Sequence, residues 1–262
     1  MSGDAASGAT DGTTAEAAPP PKPKRPSSRA RRRMAVVGLI LGATIVALGL
    51  PRTVAAWRAM GAEPALSALA ARKTPSAAEL AAGEAALRGA LAWNESGRRR
   101  GDLALLLMAR AESRGADTAA RRADLDEAEA LLLAALPLSP GNGYGWFRLA
   151  AVREARDGPG RAVAAALAMS LDVAPNARRM WLPRLEMILR NWRHFRPDEL
   201  AVARRQIRTV WRGTPWPGEE VLPAIDRNDG RVLALWSLAD DPEATAAFVR
   251  LAGEKDKAAG SR

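Results

Sequence analysis

Few residues in this chain have the types and spacing for chemistry. Asp124, Asp126, Glu127 and Glu129 are clustered acids that could hold a cation or serve as a general acid and base. Beside Arg121 and Arg122 they read instead as solvated charges at a helix start, with Asp124 and Glu127 marking that start. The run Gly141-Asn142-Gly143-Tyr144-Gly145 is glycine-rich, but it follows a helical stretch and lacks the third glycine of a dinucleotide loop, so it reads as a turn. The single histidine, His194, has no second imidazole for a metal site and no arrangement suggesting a triad. With no cysteine, disulfides, thiol catalysis and Cys-bearing zinc sites are excluded. No catalytic residue, cofactor or metal is therefore expected, and the chain is not read as an enzyme.

Arginine is the remaining candidate. Arg184, Arg190, Arg193, Arg196, Arg204, Arg205, Arg208 and Arg212 occur with Trp192 and Trp211 among them. The set Arg204, Arg205, Arg208 and Arg212 lies opposite the apolar positions Leu200, Ala203, Ile207, Val210 and Trp211, so it forms a candidate face for an anionic partner. The alternative is that these arginines only solvate a helix whose tryptophans belong to the core.

The elements that carry these residues are helical. The chain has 262 residues, 39 Lys+Arg against 29 Asp+Glu, and is rich in Ala, Leu and Arg but poor in β-branched residues. Residues 1–33 hold the Pro19–Pro26 stretch and almost no large apolar side chain, so they read as a disordered tail whose basic cluster ends in Arg31-Arg32-Arg33. Met34 to Leu50 is 17 residues without a charge. As a helix it is roughly 25 Å long, near the ~30 Å of a bilayer core. With Trp57 at the interface, residues 34–57 form an expected transmembrane anchor, the basic tail staying in the cytoplasm and the body lying across a bacterial inner membrane in the periplasm. Cleavage as a signal peptide is the rival reading. Gly38 and Gly42 make a G-x-x-x-G pair, a candidate face for homodimer formation through the anchor. On this topology nucleic acid is not an expected partner.

Residues 58–252 carry repeated helix signals, and 253–262 read as a frayed tail. Ser76 and Glu79 form a capping box, Asp102 is placed to cap the run Leu103–Ser113, and Pro197 and Asp241-Pro242 open later helices. An internal repeat is visible. Pro140 and Trp146 recur 35 residues later as Pro175 and Trp181. Ala128, Leu132 and Ala135 before Pro140, then Trp146, Leu149 and Ala150, resemble the small-large-small second helix and the W-x2-L opening of tetratricopeptide repeats. The expected fold is all-α: tail, one transmembrane helix, then a tetratricopeptide-like α-solenoid. Arg153, where a Tyr is usual, departs from the pattern.

From Leu131 to Arg212 the Pro-x5-Trp turns, Leu182-Pro183-Arg184-Leu185 and Arg205-Gln206-Ile207-Arg208 with Trp211-Arg212 resemble a small family of single-pass, tetratricopeptide-like proteins found with proteobacterial exopolysaccharide-synthesis proteins. The resemblance implies a non-enzymatic scaffold that binds a protein partner in polysaccharide assembly or export. It supplies no catalytic residue. A periplasmic chaperone or cytochrome-maturation-type adaptor has the same anchor-plus-repeat design. A structural protein binding anionic polymer through the arginine–tryptophan face and a membrane enzyme acting on lipid-linked sugar remain further alternatives.

Overall fold

The computed structural model describes residues 28–115 and 118–260, and among them every regular element is a helix. The first, α1 (Ser28–Ala59), takes in the whole apolar run, with Pro51 inside it. Every large apolar side chain from Met34 to Leu50 is exposed, and the helix is long and apolar enough to cross a membrane. Ser28 to Arg33, expected in the disordered tail, are instead the first turns of this helix. The rest of that tail, 1–27, lies outside the described residues. The chain divides into two compact units between Leu48 and Gly49, within α1.

The second unit contains α2 (Glu63–Ala70), α3 (Ala77–Leu91), α4 (Gly97–Ser113), α5 (Ala119–Ala135), α6 (Gly143–Asp157), α7 (Arg161–Val173), α8 (Trp181–Asn191), α9 (Pro197–Gly213), α10 (Pro217–Arg227), α11 (Arg231–Leu238) and α12 (Pro242–Gly260). The predicted box at α3 forms as expected. Ser76 Oγ accepts from Glu79 N at 3.2 Å, and Glu79 Oε2 accepts from Ser76 N at 2.7 Å.

Two other starts differ from the sequence reading. α4 opens behind Ser96, whose hydroxyl accepts from Arg99 N, and α5 behind Thr118, whose hydroxyl accepts from Arg121 N. Asp102 and Asp124 therefore lie inside helices. A hydroxyl at the end of the preceding loop takes the capping role, and each acid is free for a tertiary partner. The polar end expected to fray from Gly253 is helical to Gly260. There Asp256 receives Arg231 of α11 at 2.8 Å.

Packing changes character along the chain. From α3 to α7 each helix packs chiefly on its neighbours in sequence. From α7 onward packing on the next helix but one becomes prominent beside packing on sequence neighbours: α7 with α9, α9 with α11, α8 with α10 and α10 with α12. One continuous core runs through both parts, from Leu80, Leu106 and Leu132 to Ile188, Ile207 and Phe248.

Candidate functional site

Three helices and one turn frame a large recess. Leu66, Leu69 and Ala70 of α2, Arg98, Asp102 and Leu105 of α4, Tyr144 and Arg148 of α6, and Arg179 in the turn before α8 surround a cavity of about 920 Å³. A second recess of about 280 Å³ continues it past Met60, Leu87 and Ser96, sharing Glu63, Leu66, Arg98 and Asp102. Together they make a groove along the faces of α2, α4 and α6. The leucines at 66, 69 and 105 give it an apolar floor, and Tyr144 adds a half-exposed ring.

The charges in the groove are partly spent on one another. Arg148 Nη1 donates to Gly101 O at 2.9 Å and stands 3.6 Å from Asp102 Oδ1. Arg98 stands 3.8 Å from the other Asp102 oxygen. Arg179 is exposed and has no ion-pair partner among the described residues. The groove thus offers apolar side chains, an aromatic face and an unneutralised guanidinium.

Asp126 and Glu127 are exposed, as solvated charges would be, but Asp124 is buried, which corrects that expectation for this one acid. Asp124 is buried on α5, where Arg110 reaches it with Nη2 at 2.6 Å and Nε at 3.1 Å, and Arg114 Nε at 2.9 Å. The same Arg110 donates through Nη1 to buried Glu84 of α3 at 2.5 Å. Arg88 adds Glu127 at 2.7 Å. The carboxylates around Arg110 hold its guanidinium above its ordinary value, first through the hydrogen bonds to Asp124. Glu129 pairs with Arg153 at 2.7 Å and also meets Arg156, which contacts Asp126 as well. Arg153, the residue that departs from the repeat pattern, is used in this α5–α6 lock.

The repeat-signature residues divide into core and turn. Ala128, Leu132, Ala135 and Leu149 are buried, while Pro140 and Pro175 are exposed in the turns that follow α5 and α7. The two tryptophans differ in environment. Trp146 Nε1 donates to Pro140 O at 2.9 Å and closes its turn. Trp181 Nε1 is buried without a partner, its ring lies under Arg178, and it packs so closely on the end of α9 that a Cβ at Gly213 would sit 2.5 Å from it. Gly38 and Gly42 on α1 have open space where a side chain would be.

The arginine face is largely committed inside the body. Arg204 Nη2 donates to Trp236 O at 2.5 Å and Arg208 Nη1 to Ser237 O at 2.9 Å, both at the C-terminal end of α11. Arg212 pairs with Asp241 at 2.5 Å. Arg205 alone of the four stays exposed without an ion pair among the described residues. Arg184, counted in the sequence among face residues, is fully buried. It donates to Ser170 O at 2.5 Å, Ser170 Oγ at 2.8 Å and Ala174 O at 2.7 Å. Burial pushes its guanidinium down to about 10.

A shared device emerges from these bonds. Arg100 on Ala134 O, Arg121 on Ala155 O and Arg178 on Gly213 O satisfy carbonyls at the ends of α5, α6 and α9 in the same way. Sequence reasoning missed the groove because Leu66, Leu69 and Leu105 are ordinary helix leucines until α2, α4 and α6 meet. Tyr144 was visible inside its glycine run, but only as part of a turn. The chain matches no protein-family model, no curated protein and no solved structure.

Proposed function

We propose that this protein is a non-enzymatic, membrane-anchored scaffold in exopolysaccharide biosynthesis or export. α1 holds it in the inner membrane with its N-terminus in the cytoplasm. Tetratricopeptide-like hairpins, α4 with α5 and α6 with α7, present the groove along α2, α4 and α6 to a segment of a partner protein. The observation that carries this reading is the groove itself: an apolar floor with Tyr144 beside it and Arg179 free to meet a carboxylate. The resemblance of Leu131–Arg212 to single-pass proteins of exopolysaccharide synthesis supports the process, and the exposed apolar surface of α1 supports the anchor. A partner segment would then be an apolar stretch carrying at least one acidic residue.

Photo-crosslinking in the native host tests the groove. A photoreactive side chain at Leu69 or Tyr144 should give an adduct with a discrete partner polypeptide, and one at exposed Leu133 on α5 should not. Tyr144→Ala with Arg179→Glu should lower the Leu69 adduct about tenfold. Adducts from Leu133 alone, or none from the groove, would overturn the reading. For topology, a reporter joined after Arg262 should be active only on the periplasmic side.

A further inference from the structure

Away from the groove, two tryptophans each lie under an arginine. The Arg193 guanidinium carbon is 5.2 Å from the Trp192 ring centre, and that of Arg204 is 4.1 Å from Trp236. Between them, α11 leaves an apolar stripe in solvent. Val232 is 75% exposed, Leu235 37% and Trp236 46%, at a spacing that puts all three on one helix face. Val232 also lines a recess of about 540 Å³ with Trp192, Arg193 and His194, so the stripe and both stacked pairs are continuous. Near the end of a helical array a polar outer surface is expected. Here aliphatic and indole groups are ringed by guanidinium instead.

Charge decides among the occupants. Arg193 and Arg205 are exposed without ion-pair partners among the described residues, and Arg204 is held through a carbonyl and a ring, with its charge unneutralised. Asp229 lines the recess, and the other acids close by are already paired: Asp240 stands 3.5 Å from Arg208, Glu154 meets Arg190 and Glu199 meets Arg161. A second copy docked on the same patch would bring arginine against arginine. An anionic bilayer surface suits both parts: indole rings and aliphatic side chains at the boundary between headgroup and acyl chain, guanidinium groups on phosphates. We propose that the Val232–Leu235–Trp236 face of α11, with Trp192, Arg193 and Arg204, rests on an anionic membrane surface. This rests on the reading of α1 as an anchor, which supplies the membrane to which the body is tied.

The test uses the full chain in lipid nanodiscs containing lipids brominated near the headgroup. Tryptophan quenching is read as wild type minus Trp236→Phe for this face, and wild type minus Trp57→Phe for the anchor. With phosphatidylglycerol present both components should be quenched. In phosphatidylcholine alone, or at about 1 M salt where charges are screened beyond ~3 Å, the Trp236 component should lose its quenching while that of Trp57 remains. Leu235→Glu should release Trp236 without altering helicity. Arg193→Gln should lower the Trp236 contact about fivefold. A quenched Trp57 beside an unquenched Trp236 in anionic discs would overturn the inference and leave the anchor standing. Quenching of Trp236 indifferent to lipid charge and salt would refute the anionic surface. If neither residue is quenched, the anchor reading falls and takes this one with it.

Discussion

The two halves of the helical body each enclose an arginine and compensate it by different means. Between α3, α4 and α5, Arg110 meets the buried carboxylates of Glu84 and Asp124, and a chain of ion pairs extends to Arg88, Glu127 and Arg114. Between α7 and α8, Arg184 is more deeply buried and has no carboxylate partner among the described residues. Its charge faces the last carbonyls of α7, where the helix dipole is negative. Paired acids lie on specific helices and so tie α3, α4 and α5 in one register. A helix end accepts a cation from any direction that reaches it, which suits the second half, where helices pack on the next but one. It also explains why the chain uses arginine over lysine. A planar fork with five donors can serve two or three carbonyls at once, and an ammonium cannot do so in a fixed geometry.

If this contrast is correct, breaking the paired site should cost more than breaking the lone one. Asp124→Ala leaves Arg110 and Arg114 short of a buried partner, and a loss of about 3–5 kcal/mol is expected. Urea unfolding of the full chain in detergent micelles, followed by circular dichroism, measures it. Arg184→Met removes the buried charge together with its solvation cost and fills similar volume. What remains is the loss of hydrogen bonds to Ser170 and Ala174, about 1–3 kcal/mol. An Arg184→Met loss equal to or larger than that of Asp124→Ala would end the comparison.

Alkaline titration sharpens it. Burial brings Arg184 down to about 10 from its ordinary higher value, so above pH 10 the unfolded chain keeps a proton that the native chain has released. Stability from this group then rises with pH, by up to about 1.4 kcal/mol per pH unit. Arg88, Arg110, Arg156, Arg190 and Arg231 shift in the opposite sense, each held in the charged form first by hydrogen bonds to acids. The useful quantity is therefore the stability of wild type minus that of Arg184→Met, which should increase by about 1 kcal/mol from pH 10 to 11. A flat or falling difference would mean that the helix end compensates the charge in full.

Legibility in the sequence followed the range of each interaction. The Ser76–Glu79 box, the Pro197 start and the Asp241 start are local, and each stands where its residues say. Ser96 and Thr118 were overshadowed by Asp102 and Asp124, which have the same capping chemistry. Only the burial of Asp124 against Glu84's partner, far away in the chain, shows why it belongs inside a helix. The Pro-x5-Trp spacing located two turns, yet Trp146 closes its turn with a hydrogen bond and Trp181 packs on Gly213. α10, with Pro223 inside it, and the eight-residue α11 are absent from the sequence reading, although Val221, Leu222 and Ile225 stand at helical spacing behind Pro217. Without α11, the bonds of Arg204 and Arg208 could not be read, and neither could the groove before α2 was placed on α4.

The smallest expected effects come from one strained residue in each half. Arg72 after α2 has φ 57° and Asp229 after α10 has φ 50°, both left-handed. Each ends its helix with a returning hydrogen bond, Lys73 N to Ala68 O at 2.9 Å and Gly230 N to Ile225 O at 2.8 Å. Glycine would ordinarily take the left-handed position. In the second half it stands one residue later, because a Cβ at 230 would lie 2.4 Å from Leu189 of α8, so packing claims the glycine and Asp229 bears the strain. Aspartate tolerates this conformation better than arginine does. Arg72→Gly should therefore stabilise the chain by about 0.5–1 kcal/mol, and Asp229→Gly by a few tenths, after the extra freedom of the unfolded glycine is counted. Both shifts are measurable as urea midpoints at constant slope. Asp229→Gly also removes an acid from the recess beside Trp192 and Val232, so it should strengthen lipid quenching of Trp236, whereas Arg72→Gly should leave that quenching unchanged.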